Sequence, residues 1–303
     1  MILIVGASGW LGGAVAQQLL AAGKAVRLMT RNPAKLDDLA RLGAHVVVGD
    51  LRQPGSLRQA FLGVDQVLAA AHAYPGQGSN NPHLVDDVGN RYLVDLARVT
   101  GVTHFVFVSA LGARPDHTVD LLRIKYGVEQ YVRHNVLSYT ILRPAAFMES
   151  WAASIGEQIA RKSELTIVGR GENPINFVSV EDAARFAVIA LERPEARGKI
   201  LDVGGPENLT LQQVIGMVEQ AWGRDARKKY VSARKVEALS TLVRLFNRSL
   251  GRRMEHGVYL DTANLAFDPT ETLKLFPLRL SRFEEVVQKS YAPLPQNEIR
   301  QVA

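Results

Sequence analysis

The 303-residue chain contains no cysteine, which excludes disulfides, thiol catalysis and cysteine-ligated metals. It also lacks any apolar run near the roughly 18 residues that a membrane-spanning helix needs. Its first residues show neither the charged region nor the cleavage site of a signal peptide. The seven histidines include no pair at helical spacing with a nearby carboxylate, so we expect no metal site. These absences together predict a cytoplasmic protein without a metal.

The first 31 residues predict a strand, a glycine-rich turn, a helix and a second strand. Three glycines in the turn each have a use: Gly6 lets the chain turn sharply, Gly9 lets the backbone approach a pyrophosphate, and Gly12 lets the helix pack closely. A helix N-terminus also offers free N–H groups and a positive dipole end to phosphates. We therefore predict nucleotide binding here, although an ordinary tight turn has the same glycines. The predicted cofactor-binding residues of the turn are Gly6, Ser8, Gly9, Trp10, Leu11 and Gly12.

Strands and helices continue to alternate up to residue 144. Further strands are predicted at 44–48, 66–71, 103–108 and 138–142, with helices at 33–42, 54–62, 84–100 and 119–134. This alternation predicts an α/β fold, a Rossmann-type doubly wound parallel sheet with right-handed crossovers. Beyond 144 the pattern loosens, with short strands at 164–168, 176–178 and 199–203 and a mostly helical stretch at 230–251. We predict an NAD(P)-binding domain at 1–145, a smaller C-terminal α/β substrate or lid region at 146–292, interleaved with the sheet domain, and a mobile tail at 293–303.

Several short motifs occur in the order typical of one family. They are Gly6-x-x-Gly9-x-x-Gly12, Thr-Arg-Asn-Pro at 30–33, Gly-Asp-Leu at 49–51, Val-Ser-Ala at 108–110, Lys125, Tyr-Thr-Ile-Leu-Arg-Pro at 139–144 and Phe-Val-Ser-Val-Glu-Asp at 177–182. As a set they resemble the atypical short-chain dehydrogenase/reductases, specifically the NmrA-like branch, over residues 1–205. The resemblance implies an NAD(P)-binding fold whose members are either reductases or cofactor-binding sensors and assembly helpers. It also implies that Asp50 and Leu51 flank the adenine and that Ala69 to Ala71 lie beneath the cofactor, with Ala70 and Ala71 as predicted cofactor-binding residues; Asp50 can equally be a turn or cap residue.

The end of the second predicted strand indicates which cofactor is bound. Proteins that select NAD usually place a carboxylate there to bind the ribose 2′-hydroxyl. This chain has Thr30 and Arg31 instead, and no carboxylate until Asp37. A guanidinium suits a 2′-phosphate, so we expect NADP(H) in preference to NAD(H). The alternative is that Arg31 is a solvated residue before a helix.

The catalytic tyrosine of short-chain dehydrogenases is missing. In that family Tyr-x-x-x-Lys supplies a proton donor and a ribose-binding lysine. Lys125 matches the lysine, but Leu121 occupies the tyrosine position, and Tyr126 points about 100° away around the helix. We therefore predict Lys125 either as the acid, directly or through water, or only as a ribose ligand. Ser109 matches the family serine, which either hydrogen-bonds a substrate carbonyl or satisfies backbone at the strand end.

Four further residues lie where the resemblance places nicotinamide and substrate. His72 follows the fourth strand and is either near the nicotinamide or a loop histidine without chemistry. Phe147, Met148 and Trp151 either line an apolar pocket for a planar substrate such as a quinone, or belong to the core.

Positive charge is concentrated in one segment. The chain carries a net +6, yet residues 224–253 hold ten Lys or Arg against Asp225 and Glu237. Within it, residues 236–251 predict a basic amphipathic helix. It is either a lid whose arginines are solvated or face the cofactor phosphates, or a contact with a membrane surface or an acidic partner. Nucleic acid is not expected, because no known reading motif is present.

Two hypotheses follow for the whole chain. The favoured one is an NADP(H)-dependent reductase of a small carbonyl, enone or quinone. The alternative is a non-catalytic NADP(H)-binding redox sensor or assembly protein that acts through a partner.

Overall fold

The computed structural model describes residues 1–162 and 164–290, so the predicted mobile tail lies outside the described residues. The strands are β1 (Ile2–Val5), β2 (Val26–Thr30), β3 (His45–Val48), β4 (Gln66–Ala69), β5 (His104–Val108), β6 (Tyr139–Pro144), β7 (Ala146–Phe147), β8 (Glu164–Val168), β9 (Pro174–Val178), β10 (Ile200–Val203), β11 (Asn208–Thr210) and β12 (Arg227–Val231). The helices are α1 (Trp10–Ala21), α2 (Asp37–Arg41), α3 (Asn90–Thr100), α4 (Asp120–Asn135), α5 (Met148–Lys162), α6 (Val180–Glu192), α7 (Leu211–Trp222), α8 (Ala233–Phe246), α9 (Arg248–Thr262), α10 (Thr270–Leu275) and α11 (Phe283–Ser290). A π-helical segment, His83–Gly89, runs directly into α3.

The first of two compact units comprises Met1–Pro144 and Val180–Val203. Its seven strands form one sheet in the order β10-β6-β5-β4-β1-β2-β3, and every neighbouring pair is parallel. β1 and β5 are buried along their whole length, as expected for strands with helices on both faces. This sheet confirms the predicted Rossmann-type doubly wound fold.

The parallel sheet brings the candidate site together. Strands that run in one direction end at one edge, so the residues after β1, β2, β4 and β5 lie at the same edge of the sheet. Those residues are Gly6, Arg31, Ala70 and Ser109. The core below them is apolar and fully packed, with Leu3, Phe105 and Phe107 among its buried residues.

The second unit comprises Ala145–Ser179 and the described residues from Gly204 onward. It holds a three-stranded sheet, β11-β9-β7, and a parallel pair, β12-β8. Phe177 packs edge-on against Trp151 at 5.8 Å and against Phe283 at 5.4 Å between ring centroids. Met148 is buried in the same cluster, so Met148 and Trp151 contribute to the core of this unit.

The local predictions differ from the structure in several places. The helix predicted at 54–62 consists of two 3₁₀ turns, Pro54–Ser56 and Arg58–Phe61, and Gly55 in the first of them disfavours an α-helix. The stretch predicted as mostly helical at 230–251 is helical from Ala233 onward, in α8 and α9, and only its first residues belong to strand β12, which pairs with β8. The stretch is also interrupted at Asn247, which is extended and caps α9 by accepting a hydrogen bond from Leu250 N at 3.0 Å.

Candidate cofactor-binding site

The turn between β1 and α1 is open to a phosphate. Gly6 has φ +92°, and a Cβ there would approach Ala71 N to 2.7 Å, so only glycine fits. A Cβ on Gly12 would overlap the Gly6 carbonyl oxygen. Gly9, the N-cap of α1, has no side chain to cap the first helical turn, so no side chain of the N-cap competes with a ligand for the N–H groups of that turn. The turn therefore fits a dinucleotide pyrophosphate.

A pocket of the first unit lies along this turn. The predicted cofactor-binding residues that line it are Gly6, Ser8, Gly9, Arg31, Asp50, Leu51, Ala70 and Ala71. His72, Thr30 and Asn80 also line it. Trp10, Leu11, Gly12, Ser109 and Lys125 do not line this pocket. The sheet edge thus brings together the residues predicted for the phosphates and the adenine.

Arg31 lies at one side of the pocket, directly after β2. Its Nη1 donates a hydrogen bond to Asn80 Oδ1 at 2.9 Å. Asn80 belongs to the loop that follows β4 and also lines the pocket. The contact therefore joins Arg31, the residue predicted to bind the 2′-phosphate, to a second wall of the pocket. The arginine side chain remains exposed, which leaves donors for an incoming anion.

Asp50 forms an ion pair with Arg52, a residue that was not among those predicted for the site. Arg52 Nε lies 3.0 Å from both carboxylate oxygens of Asp50, and Arg52 Nη1 donates to Ser79 Oγ at 2.9 Å. The hydrogen bond from Arg52 holds the pKa of Asp50 below its usual value, and the charge of Arg31 adds to this effect. The negative charge of Asp50 is therefore compensated within the pocket wall, which keeps this wall compatible with a phosphate.

The Lys125 side chain is buried and is held by contacts with Asp86, the Val108 carbonyl and the Phe107 ring. Its ammonium lies 3.1 Å from Asp86 Oδ1 and donates to the Val108 carbonyl at 3.2 Å. It also lies 5.1 Å from the centre of the Phe107 ring. The other Asp86 oxygen accepts a hydrogen bond from Ala73 N at 2.9 Å. A buried carboxylate thus fixes the lysine on α4 in place.

The backbone around Asp86 is held by Asn90. The Asn90 amide donates to the carbonyls of Val85 and Asp86, both at 3.1 Å, within the π-helical segment. Among the described residues, Asn90 Oδ1 has no hydrogen-bond partner although the residue is fully buried. π-Helical turns occur frequently at functional sites, and this one sets where Asp86 meets Lys125.

His72 lines the pocket close to this charged pair. His72 is exposed, while the protein atoms around its ring lower the pKa of His72 by desolvation. The Asp86 carboxylate opposes this shift of the pKa, and the Lys125 ammonium reinforces it. A histidine with a lowered pKa is neutral near pH 7 and carries one donor and one acceptor.

Ser109 is engaged in a second buried network. Its hydroxyl donates to Glu129, a fully buried carboxylate on α4. Glu129 also accepts two hydrogen bonds from Arg143, from Nε at 2.8 Å and from Nη2 at 2.6 Å. This bidentate contact raises the pKa of Arg143 above its usual value. In this arrangement the Ser109 proton is directed at Glu129.

Among the described residues, no group of three or more His, Asp and Glu side chains is placed to hold a metal ion. In the part of the chain that the structure describes, no helix is long and apolar enough to cross a membrane.

Comparisons with known proteins add information about the family. Residues 6–194 match the model of a family described as NAD(P)H-binding. The NAD(P)H azoreductase of Xenophilus azovorans is 30% identical over 227 residues, which are 75% of this chain and 76% of that protein. The photosystem II assembly factor Ycf39 of Trieres chinensis is 25% identical over 295 residues, which are 94% and 90% of the two chains. The crystal structure of an NADPH-dependent quinone oxidoreductase from Escherichia coli, complexed with NADPH, matches with a TM-score of 0.76 at 23% identity, over 96% of this chain and 100% of that one.

Proposed function

Since the chain belongs to the NAD(P)H-binding family, as its motifs predicted, we propose that it is an NADP(H)-dependent reductase of a small carbonyl, enone or quinone. The proposed preference for NADP(H) over NAD(H) rests on one observation. In a single pocket, an uncapped helix N-terminus lies beside Arg31, and the nearby Asp50 carboxylate is already compensated by Arg52. This wall of the pocket suits a ribose that bears a phosphate better than one that bears a free hydroxyl.

The roles proposed for Gly6, Ser8, Gly9 and Arg31 rest on their positions in the pocket lining, whereas the role proposed for Lys125, which does not line the pocket, rests on the family motif. Gly6, Ser8 and Gly9 would hold the pyrophosphate, and Arg31 would hold the 2′-phosphate. Lys125 would hold the nicotinamide ribose. An ammonium has three N–H donors; the Val108 carbonyl accepts one of them, and Asp86 contacts the group as an ion pair, so the ammonium keeps donor capacity for a ribose hydroxyl. When bound, NADPH supplies the hydride for the reduction.

The proton that accompanies the hydride needs a source other than a tyrosine. We assign its transfer to His72, an exposed residue that lines the same pocket. The lowered pKa of His72 keeps the ring neutral near pH 7, so it accepts a proton from water on one nitrogen as it donates on the other. Ser109 would then have a structural role, because its proton is bound to Glu129.

A specific observation favours a second candidate, a non-catalytic NADP(H)-binding sensor or assembly protein. Leu121 occupies the tyrosine position, and Ser109 directs its proton into the protein, so two groups that assist reduction in the family are not available. The similarity to Ycf39, which is described as an assembly factor, agrees with this candidate.

Turnover distinguishes the two candidates. The chain would be mixed with NADPH and a panel of quinones, enones and aldehydes, and the absorbance of NADPH followed. We expect oxidation of NADPH with at least one quinone. The double variant Lys125→Met/Asp86→Asn, which removes both buried charges together, should lower kcat by about 100-fold or more, and His72→Gln should lower kcat with little change in NADPH affinity. Tight binding of NADPH without turnover of any substrate would favour the second candidate.

A further inference from the structure

Helices α8 and α9 of the second unit form an antiparallel hairpin with a close internal contact. A Cβ on Gly251 of α9 would lie 2.7 Å from the Arg244 Cβ of α8, so glycine is needed where the helices meet. Arg244 also forms an ion pair with Glu255 at 2.9 Å across the hairpin. α9 in turn approaches β8, since a Cβ on Gly257 would lie 2.8 Å from a Val168 methyl group. These contacts fix the inner faces of the hairpin.

The outer face of α8 is apolar and exposed. At 100° per residue, Leu239, Leu242, Leu245 and Phe246 fall within an arc of about 120° around the helix. All four side chains are exposed, with Leu245 at 75% and Phe246 at 91% of their full surface. Leu250, at the start of α9, is exposed as well. Isolated exposed leucines are ordinary, but five large apolar side chains on one hairpin indicate a contact surface.

Unpaired cations surround this face. Lys235 lies four residues before Leu239, Arg248 follows the turn between the helices, and Arg253 lies three residues after Leu250. All three are exposed, and none forms an ion pair with another described residue. Glu237, the exposed acidic residue of α8, lies about 140° around the helix from Leu242. The apolar face therefore has exposed positive charge near both of its ends.

We propose that the α8–α9 hairpin docks on an anionic membrane surface, with Leu242, Leu245 and Phe246 entering the boundary between headgroups and acyl chains. An apolar face bordered by Lys and Arg is the composition of helices that lie in this boundary, where the apolar side chains are buried and the cations meet lipid phosphates. Nucleic acid offers phosphates for the cations, but it has no apolar phase in which the exposed leucines would be buried. A second copy of this chain would bring the same positive charges together, which opposes association.

Vesicle sedimentation tests the proposal. The full chain would be mixed with vesicles of phosphatidylcholine alone or with about 30% phosphatidylglycerol. We expect binding to the anionic vesicles, at least about tenfold weaker binding to the neutral ones, and a similar loss in about 0.5 M NaCl. The variant Leu242→Ser/Leu245→Ser/Phe246→Ser should lose at least about tenfold in vesicle binding. The matched control Leu62→Ser/Val99→Ser/Leu137→Ser removes three apolar side chains that are at least as exposed as Leu242, all from the first unit, and should bind as the parent does.

Three outcomes would overturn the proposal. The first is no binding to anionic vesicles, and the second is equal binding by the hairpin variant and the parent. The third is a dimer in solution that the hairpin variant abolishes, because the face would then be covered by a second copy. NADPH affinity should be the same in the parent and both variants, which shows that each variant is folded and separates this test from that of the proposed reductase.

Discussion

Lys125 and Asp86 form a buried ion pair, with 3.1 Å between Nζ and Oδ1 and with 5% and 0% of the two side chains exposed. The pair connects α4 to the π-helical segment before α3. A buried charge that loses its partner is costly, so the lysine predicted to bind the ribose is coupled to the stability of the first unit.

We expect Asp86→Asn and Lys125→Met each to lower the free energy of unfolding by about 3–5 kcal/mol, because each leaves one buried charge unpaired. The double variant should lose much less than the sum of the two single losses. Urea unfolding of the parent, the single variants and the double variant measures this coupling. The control is Asp87→Asn next to it, which removes a more exposed partner of Arg91 and should cost about 1 kcal/mol or less. A loss in the double variant that equals the sum of the two single losses would contradict the pairing.

Glu129→Gln should also destabilise the protein, by at least about 2 kcal/mol, since the amide cannot accept both hydrogen bonds from Arg143 and the one from Ser109. The matched control is Glu157→Gln, because Glu157 also pairs with an arginine, Arg161, but is 60% exposed. That change should cost less than about 1 kcal/mol in the same urea titration. Similar losses in both variants would show that the Glu129 network is not a buried charge contact.

The sequence predicted the backbone elements and the binding residues of the site, but not Asp86, which holds Lys125 in place. The glycine turn, Arg31 and the parallel sheet depend on local signals, namely glycine spacing, the residue after a strand and the alternation of elements. Asp86 pairs with a residue 39 positions away in the sequence, and no local pattern encodes such a partner.

One local signal was nevertheless present. Asp86, Asn90, Leu93 and Ala97 follow at helical spacing and are all buried. A polar pair that continues an apolar stripe indicates buried chemistry. Arg52, two residues after Asp50, carries no such signal, because its contact depends on the conformation of the loop.

Gly12→Ala should weaken NADPH binding by about tenfold or more, because the added methyl group overlaps the Gly6 carbonyl and displaces α1 from the turn. The control is Gly216→Ala on α7, where a Cβ meets no atom within 4 Å. That change should leave NADPH affinity unaltered and raise stability by about 0.5–1 kcal/mol. Fluorescence titration with NADPH measures the affinities. Unchanged affinity in Gly12→Ala would show that close packing at this glycine is not needed.

The free energy of unfolding should fall in acid because of His256. Burial lowers the pKa of His256 from 6.5 to about 4, so the unfolded chain binds a proton between these pH values that the folded chain does not. The folded state is therefore at its full stability above pH 6.5 and loses stability as the pH falls toward 4. Between pH 7 and pH 5 the parent should lose about 2 kcal/mol more than His256→Gln, which does not titrate. Urea unfolding at both pH values measures the difference, and equal losses would contradict the shift.

Calorimetric titration of the parent and Arg31→Asp with NADPH and NADH measures whether Arg31 selects the cofactor that bears the 2′-phosphate. We expect the parent to bind NADPH more tightly than NADH. Arg31→Asp should cost about 1–3 kcal/mol more for NADPH than for NADH, since the lost hydrogen bonds go to the 2′-phosphate. Arg58→Asp makes the same change of charge away from the pocket lining and should leave the preference intact. If the parent binds neither cofactor, the pocket is not a dinucleotide site. If Arg31→Asp weakens the binding of NADPH and NADH equally, Arg31 does not hold the 2′-phosphate.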